Sequence, residues 1–192
     1  MATYMTSDFH LGHLNIIKYC NRPFSSVEEM DQEIIRRCNE LVKPDDTLYF
    51  LGDWALTGGA FKKPGLAAEH YRRQIRCNNI ILIWGNHDKK GKKDPLFQAQ
   101  FKACHDFLET YIEDQRYTLC HYALKVWNKS HHGAFHLYGH SHGTLPDDPN
   151  SRSFDCGVDC HNFYPISHGK VKEIMERKTW VPKDHHNNET ME

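Results

Sequence analysis

Apolar residues along this chain gather in short runs, and most runs stop at glycine or at a cluster of Asp, Asn and His. Residues 2–6 read as an extended segment that stops at Ser7-Asp8-Phe9-His10. Residues 47–51 read as a buried strand stopped by Gly52-Asp53, and residues 80–84 as another stopped by Gly85-Asn86-His87-Asp88. Further strands are predicted over 107–112, 117–120, 134–138 and 153–158. The second of these ends at His121 and the third at Gly139-His140-Ser141-His142. Met30, Ile34, Cys38 and Leu41 instead follow a helical period from a start near Ser26, where Ser26-Val27-Glu28-Glu29 forms a capping box. Helices are also predicted over 66–75, 95–104 and 165–177. Pro44-Asp45-Asp46 marks a turn, while residues 57–65, with Gly58-Gly59 and Pro64, and the charged residues 89–93 read as loops. The expected organisation is one domain over 1–180 and a polar, frayed tail over 181–192.

Five times, then, a hydrophobic strand ends where a polar cluster begins. Strand ends and the loops after them are where a rigid sheet displays chemistry. The glycines at 52, 85 and 139 suit sharp turns with close backbone approach.

Composition narrows the class. A chain of 192 residues is long enough for one domain with a real core, and 39% hydrophobic with 26% charged residues is ordinary for a soluble globular protein. The formal net charge of −1 shows no broad electrostatic footprint for nucleic acid, which leaves a local basic groove open. Fifteen His are many for this length and ask for a metal explanation, with His185 and His186 set aside as tail residues. Seven Cys, odd in number, scattered and without a signal peptide, read as reduced thiols. No apolar run reaches transmembrane length, so a soluble cytoplasmic protein is expected.

The polar clusters carry candidate ligands. Asp8 and His10 alternate on what reads as an extended segment, so both side chains would point one way. Asp53 offers two carboxylate oxygens and can bridge two cations. Asn86 offers a neutral carbonyl oxygen. His87 beside Asp88 reads as an orienting pair, in which the carboxylate fixes the imidazole tautomer and raises its pKa. Such a His can donate a proton to a leaving oxygen. His140 and His142 can enter one site, and His121 adds an imidazole. Singly these signals are weak: Asp53 could cap a turn and His121 could be a satisfied core histidine. Together Asp8, His10, Asp53, Asn86, His121, His140 and His142 form a carboxylate, amide and imidazole set without thiolate. That set suits two divalent ions, Mn first and Fe, Zn or Ni after it, rather than a structural zinc. Two ions about 3.5–4 Å apart clamp a phosphoryl group during in-line attack.

In this order, across residues 8 to 142, the series resembles the calcineurin-like metallophosphoesterase superfamily. Gly12-His13-x-Asn15-Ile16-Ile17, Asn21-Arg22-Pro23-Phe24, and Gly157-Val158-Asp159 with Pro165-Ile166 resemble a small bacterial and phage branch of it. The resemblance implies an α/β fold, a four-layer sandwich of two mixed β-sheets flanked by helices. It implies a first metal on Asp8, His10 and His142, a second on Asn86, His121 and His140, and Asp53 as the bridge. It further implies that His87 serves as general acid or charge stabiliser, that Asp88 orients it, and that a bridging hydroxide attacks phosphorus directly. Trp54, bulkier than expected after Gly52-Asp53, is assigned to the pocket wall. The reaction expected is hydrolysis of a phosphodiester or phosphomonoester, the diester favoured, on a small phosphate ester or nucleotide. A metal-dependent nuclease of the same architecture is the alternative. A non-catalytic binding scaffold is disfavoured by the complete ligand set. Oligomeric state stays open.

Other residues have two readings each. His13 and Asn15 either touch the substrate phosphate or open a helix. Arg22 is either an anion clamp or an ordinary surface arginine. Cys156, Cys160 and His161 suggest a zinc site, but the spacing matches no strong zinc pattern. Phe154, Phe163 and Tyr164 read as core or pocket rim rather than a base-stacking platform. Lys89, Lys90, Lys92 and Lys93 either attract a polyanion or are simply solvated. His131 and His132, with Lys129, are placed at the site entrance.

Overall fold

A computed structural model describes residues 1–57 and 61–182. The expected Gly58-Gly59 loop, and His185 and His186 of the expected tail, lie outside the described residues. Among the described residues the chain runs β1 (Thr3–Thr6), α1 (Leu14–Tyr19), α2 (Val27–Leu41), β2 (Thr47–Phe50), α3 (Pro64–Arg72), β3 (Asn79–Ile83), α4 (Pro95–Gln98), β4 (Ala103–His105), β5 (Leu108–Ile112), β6 (Gln115–Leu119), β7 (Phe135–Tyr138), β8 (Ser153–Asp155), β9 (Ile166–Ser167) and α5 (His168–Glu176). The strands form two mixed sheets, ordered β4-β3-β2-β1-β9 and β5-β6-β7-β8. β1 to β4 are mutually parallel with β9 antiparallel at the edge, and β6 to β8 are parallel with β5 antiparallel.

The period of two along each strand sorts side chains between two cores. Leu48 and Phe50 of β2 and Ile80 and Leu82 of β3 face α2 and α3, meeting Met30, Ile34, Cys38, Ala68 and Tyr71. Met5 and Ile83 face the other way, toward Tyr117, Leu119, Phe135, Leu137 and Phe154 of the second sheet, with Val171 and Met175 of α5. On the far face of the second sheet, Trp127 packs on His136 with ring centroids 5.2 Å apart. His136 Nδ1 lies 2.9 Å from the Thr118 carbonyl, and the Leu124 amide donates to Nε2. Burial lowers this imidazole to about 4, so it is a neutral core histidine. The result is an α/β sandwich of two mixed sheets with flanking helices.

Local signals hold where the sequence marked them. Ser26 Oγ accepts from the Glu29 amide at 3.1 Å and caps α2. The Glu29 carboxylate reaches Ser25, not Ser26, so the reciprocal half of the capping box moves by one residue. Several boundaries differ from expectation, including the helix expected over 66–75, which spans Pro64–Arg72, and the strand expected over 117–120, which spans Gln115–Leu119. The helix expected over 95–104 ends at Gln98, because Ala103 and Cys104 pair in parallel with Ile81 and Leu82. The helix expected from 165 starts at His168, because Ile166 and Ser167 first pair with Met5 and Tyr4. The strand expected over 153–158 stops at Asp155, and Val158–Cys160 forms a 3-10 turn. Residues 89–93 are also ordered, within a 3-10 helix over His87–Lys93.

Trp54 corrects a second expectation. It is fully buried in the core under α2, with rings of Phe9, Phe50 and Phe101 at 6.0, 4.9 and 5.1 Å. It is a core residue and not a pocket wall. We expect Trp54→Ala to lower stability by roughly 3–5 kcal/mol, as read by denaturant unfolding.

Candidate metal centre

The carboxyl ends of β1, β2, β3, β6, β7 and β8 supply one rim. Asp8, Asp53, Asn86, His121, the pair His140 and His142, and Asp159 follow those six strands in turn. The two sheets join here through a bridge between Ser7 and Gly157 and a bond from the Val158 amide to the Ser7 carbonyl.

The loops reach the centre by left-handed backbone. Asp8, His10, Asp53, His140 and His142 have φ of 61°, 52°, 61°, 67° and 48°. Each such residue costs on the order of 1 kcal/mol and persists only when its surroundings over-determine it. Here the Asp8 amide donates to the Gly52 carbonyl and the His10 amide to the Asp53 carbonyl, both at 2.9 Å. Asp8 and His10 therefore do not converge by alternation along a strand, as the sequence suggested. The chain curls, sending both inward and Phe9 into the core. Gly85 and Gly139 are required for a related reason: a Cβ on Gly85 would overlap Asp53 Oδ1, and one on Gly139 would overlap Asp8 Oδ2.

Seven predicted ligands come together in two groups that share Asp53. Asp8 Oδ1 lies 3.8 Å from His10 Nε2 and 3.9 Å from His142 Nε2. Asp53 Oδ2 lies 3.5 Å from His10 Nε2 and 3.5 Å from His121 Nε2. Asn86 Oδ1 is 2.8 Å from His121 Nε2 and 2.9 Å from His140 Nδ1. Donors about 2.1 Å from one cation sit roughly 3.0–3.5 Å apart, so this spacing is close to a coordination shell. Two atoms supply a further test. Asp8 Oδ1 and His10 Nε2 are buried without a hydrogen-bond partner in the protein. Buried polar atoms are almost always partnered, and a cation held between Asp8 and His10 would satisfy both of these.

The titration states follow from burial and neighbours. Burial lifts the Asp8 carboxyl to about 8, against the pull of His142 and Ser7, with Asp53 and Asp155 raising it further. Burial, with the neighbouring cationic groups His142 and Arg22, pushes His10 well below the usual imidazole value. Burial also lowers His142, but its contacts with Asp159, Cys20 and Asp8 outweigh that and lift it to about 10.

Outer contacts aim the candidate ligands. His121 Nδ1 is 2.7 Å from the Leu51 carbonyl, which leaves Nε2 facing Asp53 and Asn86. Ser7 Oγ and the His140 amide both donate to Asp8 Oδ2. Asp159 Oδ2 lies 2.7 Å from His142 Nδ1. Burial raises the Asp159 carboxyl, but bonds from His142 and Arg22 prevail and hold it below the usual range. Arg22 corrects both of its sequence readings. Its side chain is 0% exposed; Nε and Nη2 donate to Asp159 at 2.8 Å each, Nη2 to the Asp8 carbonyl at 2.7 Å and Nη1 to the Phe9 carbonyl at 2.9 Å. It is neither a free anion clamp nor a surface residue. The sequence singled out both residues in short motifs, yet no spacing rule joins positions 137 apart.

Asp88 also departs from its expected role. It is buried and accepts from the amides of Asp53, Gly85 and Trp54 at 2.8, 3.0 and 3.2 Å. It locks the loops after β2 and β3 together rather than orienting the imidazole next to it. His87 is exposed on the rim, its ring 5.0 Å from His10 and 5.8 Å from His13, and its amide donates to Asp53 Oδ1. His13 precedes α1 but makes no side-chain cap; its ring faces His10 at 5.5 Å. Asn15 is exposed on the first turn of α1.

Other candidates lie outside the centre. Among the described residues Cys156, Cys160 and His161 make no metal-sized group; Cys156 is core and His161 bonds the Asp155 carbonyl. Phe154 and Phe163 are core, and the Tyr164 hydroxyl reaches Glu40. Lys92 pairs with Asp106. Ser130–His132 forms a 3-10 turn before the amino end of β7, whereas His140 follows its carboxyl end, so His131 and His132 do not line the entrance.

We expect Asp159→Asn to weaken divalent-cation binding by about 10–100-fold in a metal titration. Cations must displace protons from Asp8 and His142. Apparent affinity should therefore fall as the pH drops through about 10, where His142 gains its proton, and fall further through about 8, the value to which burial lifts Asp8.

Comparison with known proteins agrees with this geometry. The sequence profile of the calcineurin-like phosphoesterase family matches residues 1–168. An uncharacterized protein of Methanocaldococcus jannaschii is 33% identical over 179 residues, covering 91% of each chain. The Gene 66 protein of Mycobacterium phage L5 is 33% identical over 88 residues, 45% of this chain and 39% of its own. A protein of unknown function from Aquifex aeolicus superposes with a TM-score of 0.66 at 20% identity, over 90% of this chain and 98% of its own, which shows a shared fold. A profile match across most of the length, over a rim that gathers carboxylate, amide and imidazole donors, means that the chain belongs to the calcineurin-like phosphoesterase family.

Proposed function

We propose that this protein hydrolyses a phosphodiester of a small phosphate ester or nucleotide with two divalent cations. The observation that carries this reading is the position of Asp53 Oδ2, 3.5 Å from an imidazole of each ligand group. Asp8, His10 and His142 would hold one cation, Asn86, His121 and His140 the other, and Asp53 would bridge them. When bound, such cations polarise phosphoryl oxygens and lower the pKa of a shared water. Manganese leads, with Fe, Zn or Ni as alternatives, because the donors are oxygen and nitrogen without thiolate.

The chain's own groups do the rest. Asp8 and Asp53 bring two carboxylates against the reacting phosphate, so the site accepts that anion only with cations between them. His87 stands exposed beside His10 and His13, where a ring N–H can bond a phosphoryl oxygen. The same nitrogen can pass its proton to the leaving ester oxygen. His13 adds a second imidazole on that side. Asp88 acts at one remove, by holding the Asp53 amide that sets the bridge.

A nuclease reading finds Lys89, Lys90 and Lys93 exposed on the turn that begins at His87, but a net charge of −1 supplies no wider basic track. No helix among the described residues is long and apolar enough to cross a membrane. All seven cysteines are free thiols, which supports a reducing compartment and hence the cytoplasm.

The manganese-loaded protein should hydrolyse bis(4-nitrophenyl) phosphate and contain about two ions per chain. His87→Ala should lower kcat by about 10²–10⁴ with both ions retained. Asp53→Asn should lose ions and activity together. Turnover undiminished in both variants would overturn the assignment, and a wild-type protein that takes up no metal would favour a binding scaffold.

A further inference from the structure

Two exposed aromatic rings flank the candidate centre without belonging to it. Tyr122, the residue after His121, is 46% exposed. Its ring lies 4.8 Å from His140 at 66° and 5.1 Å from His121 at 74°. Tyr19, at the end of α1, is 72% exposed, and its ring lies 6.3 Å from His13 at 81°. All three contacts are steeply inclined, so no imidazole is stacked flat on either tyrosine.

An isolated exposed aromatic is an ordinary surface feature. These two are placed differently. Tyr122 leans on two imidazoles of the group formed by Asn86, His121 and His140. Tyr19 leans on His13, which itself faces His10 and His87. Tyr122 thus stands beside one of the groups that Asp53 joins, and Tyr19 is separated from His10 of the other by His13. A ring on an ester substituent of a phosphate held at the centre could reach these faces. A tyrosine presents a rigid π-face at little conformational cost, and bases stack on such faces whatever their hydrogen-bonding edge.

We infer that Tyr122 is a stacking platform for a planar heteroaromatic ring on the substrate, which makes the preferred substrate a nucleoside phosphodiester. Tyr19 supplies the corresponding surface on the His13 side. This rests on the phosphoesterase reading and names its substrate class. Phe154 and Phe163, which the sequence reading set aside as a stacking platform, are core.

The test compares two phosphate monoesters that differ only beyond the phosphate. Adenosine 5′-monophosphate and glycerol 3-phosphate are titrated calorimetrically into the manganese-loaded wild type, Tyr122→Ala and Tyr122→Phe, with metal content checked for each. The nucleotide should bind the wild type about tenfold tighter than glycerol phosphate. Tyr122→Ala should abolish that difference and leave glycerol phosphate affinity unchanged, whereas Tyr122→Phe should preserve it, since stacking does not need the hydroxyl. Equal affinities in the wild type would overturn the inference. So would a Tyr122→Ala protein that weakens both ligands alike, or a Tyr122→Phe protein that loses as much as Tyr122→Ala. If neither phosphate binds a protein that holds its metal, the phosphoesterase reading itself falls, and this inference with it.

Discussion

Asp8 and Asp53 are 0% and 2% exposed and share one rim, with the Asp53 charge helping to raise the Asp8 carboxyl. Two carboxylates taken out of water together repel one another and lose hydration, a cost of several kcal/mol unless a cation or well-placed donors offset it. Much of the surrounding structure answers that constraint. Ser7 Oγ and the His140 amide cover one oxygen of Asp8, and its other oxygen has no protein partner. The His87 amide covers one oxygen of Asp53, and the other faces two imidazoles. In both cases one oxygen is held by the fold and one is turned toward the centre.

The backbone accepts strain to make this arrangement. Five of the seven candidate ligands are left-handed, which would be unstable on a free loop. They are held because each loop is braced from behind. Arg22 bonds the carbonyls of Asp8 and Phe9 and the carboxylate of Asp159, so one buried guanidinium ties the β1 loop to the loop after β8. Asp159 carries that rigidity to His142. Asp88 does the equivalent for the loops after β2 and β3. The two braces serve opposite sides of the shared Asp53; of their carboxylates Asp88 is buried and Asp159 half-buried, and both accept from donors of the protein.

Much of the candidate site was legible in sequence because its chemistry is local. A carboxylate or imidazole one to three residues past a β-branched run reads out both the residue type and its place at a strand end. Gly52, Gly85 and Gly139 marked where a backbone must pass close to a ligand, and two of them would otherwise strike Asp53 or Asp8. The helix under Ser26 was equally plain, since its cap and its apolar stripe agree. What failed was adjacency used as evidence of contact. Asp88 follows His87 in the chain but turns to three backbone amides. Trp54 follows the candidate ligand Asp53 but packs among Phe9, Phe50 and Phe101. The short edge strands β4 and β9 were absorbed into predicted helices, because pairing with β3 and β1 outweighed the local preference of two or three residues.

The sequence by itself determined the candidate donors, their order along the chain and their display at strand ends, because each depends on a few neighbouring residues. Only the tertiary structure decided how those donors face one another. Left-handed turns, and not strand alternation, bring Asp8 and His10 together, since a φ sign at one residue redirects everything after it. The Arg22–Asp159–His142 chain exists because the segments following β1 and β8 meet at the junction of the two sheets, a contact between stretches more than a hundred residues apart that no local pattern encodes. The exposed faces of Tyr19 and Tyr122 belong to the same class: which aromatic rings remain in solvent beside the centre is settled by what the rest of the fold leaves uncovered.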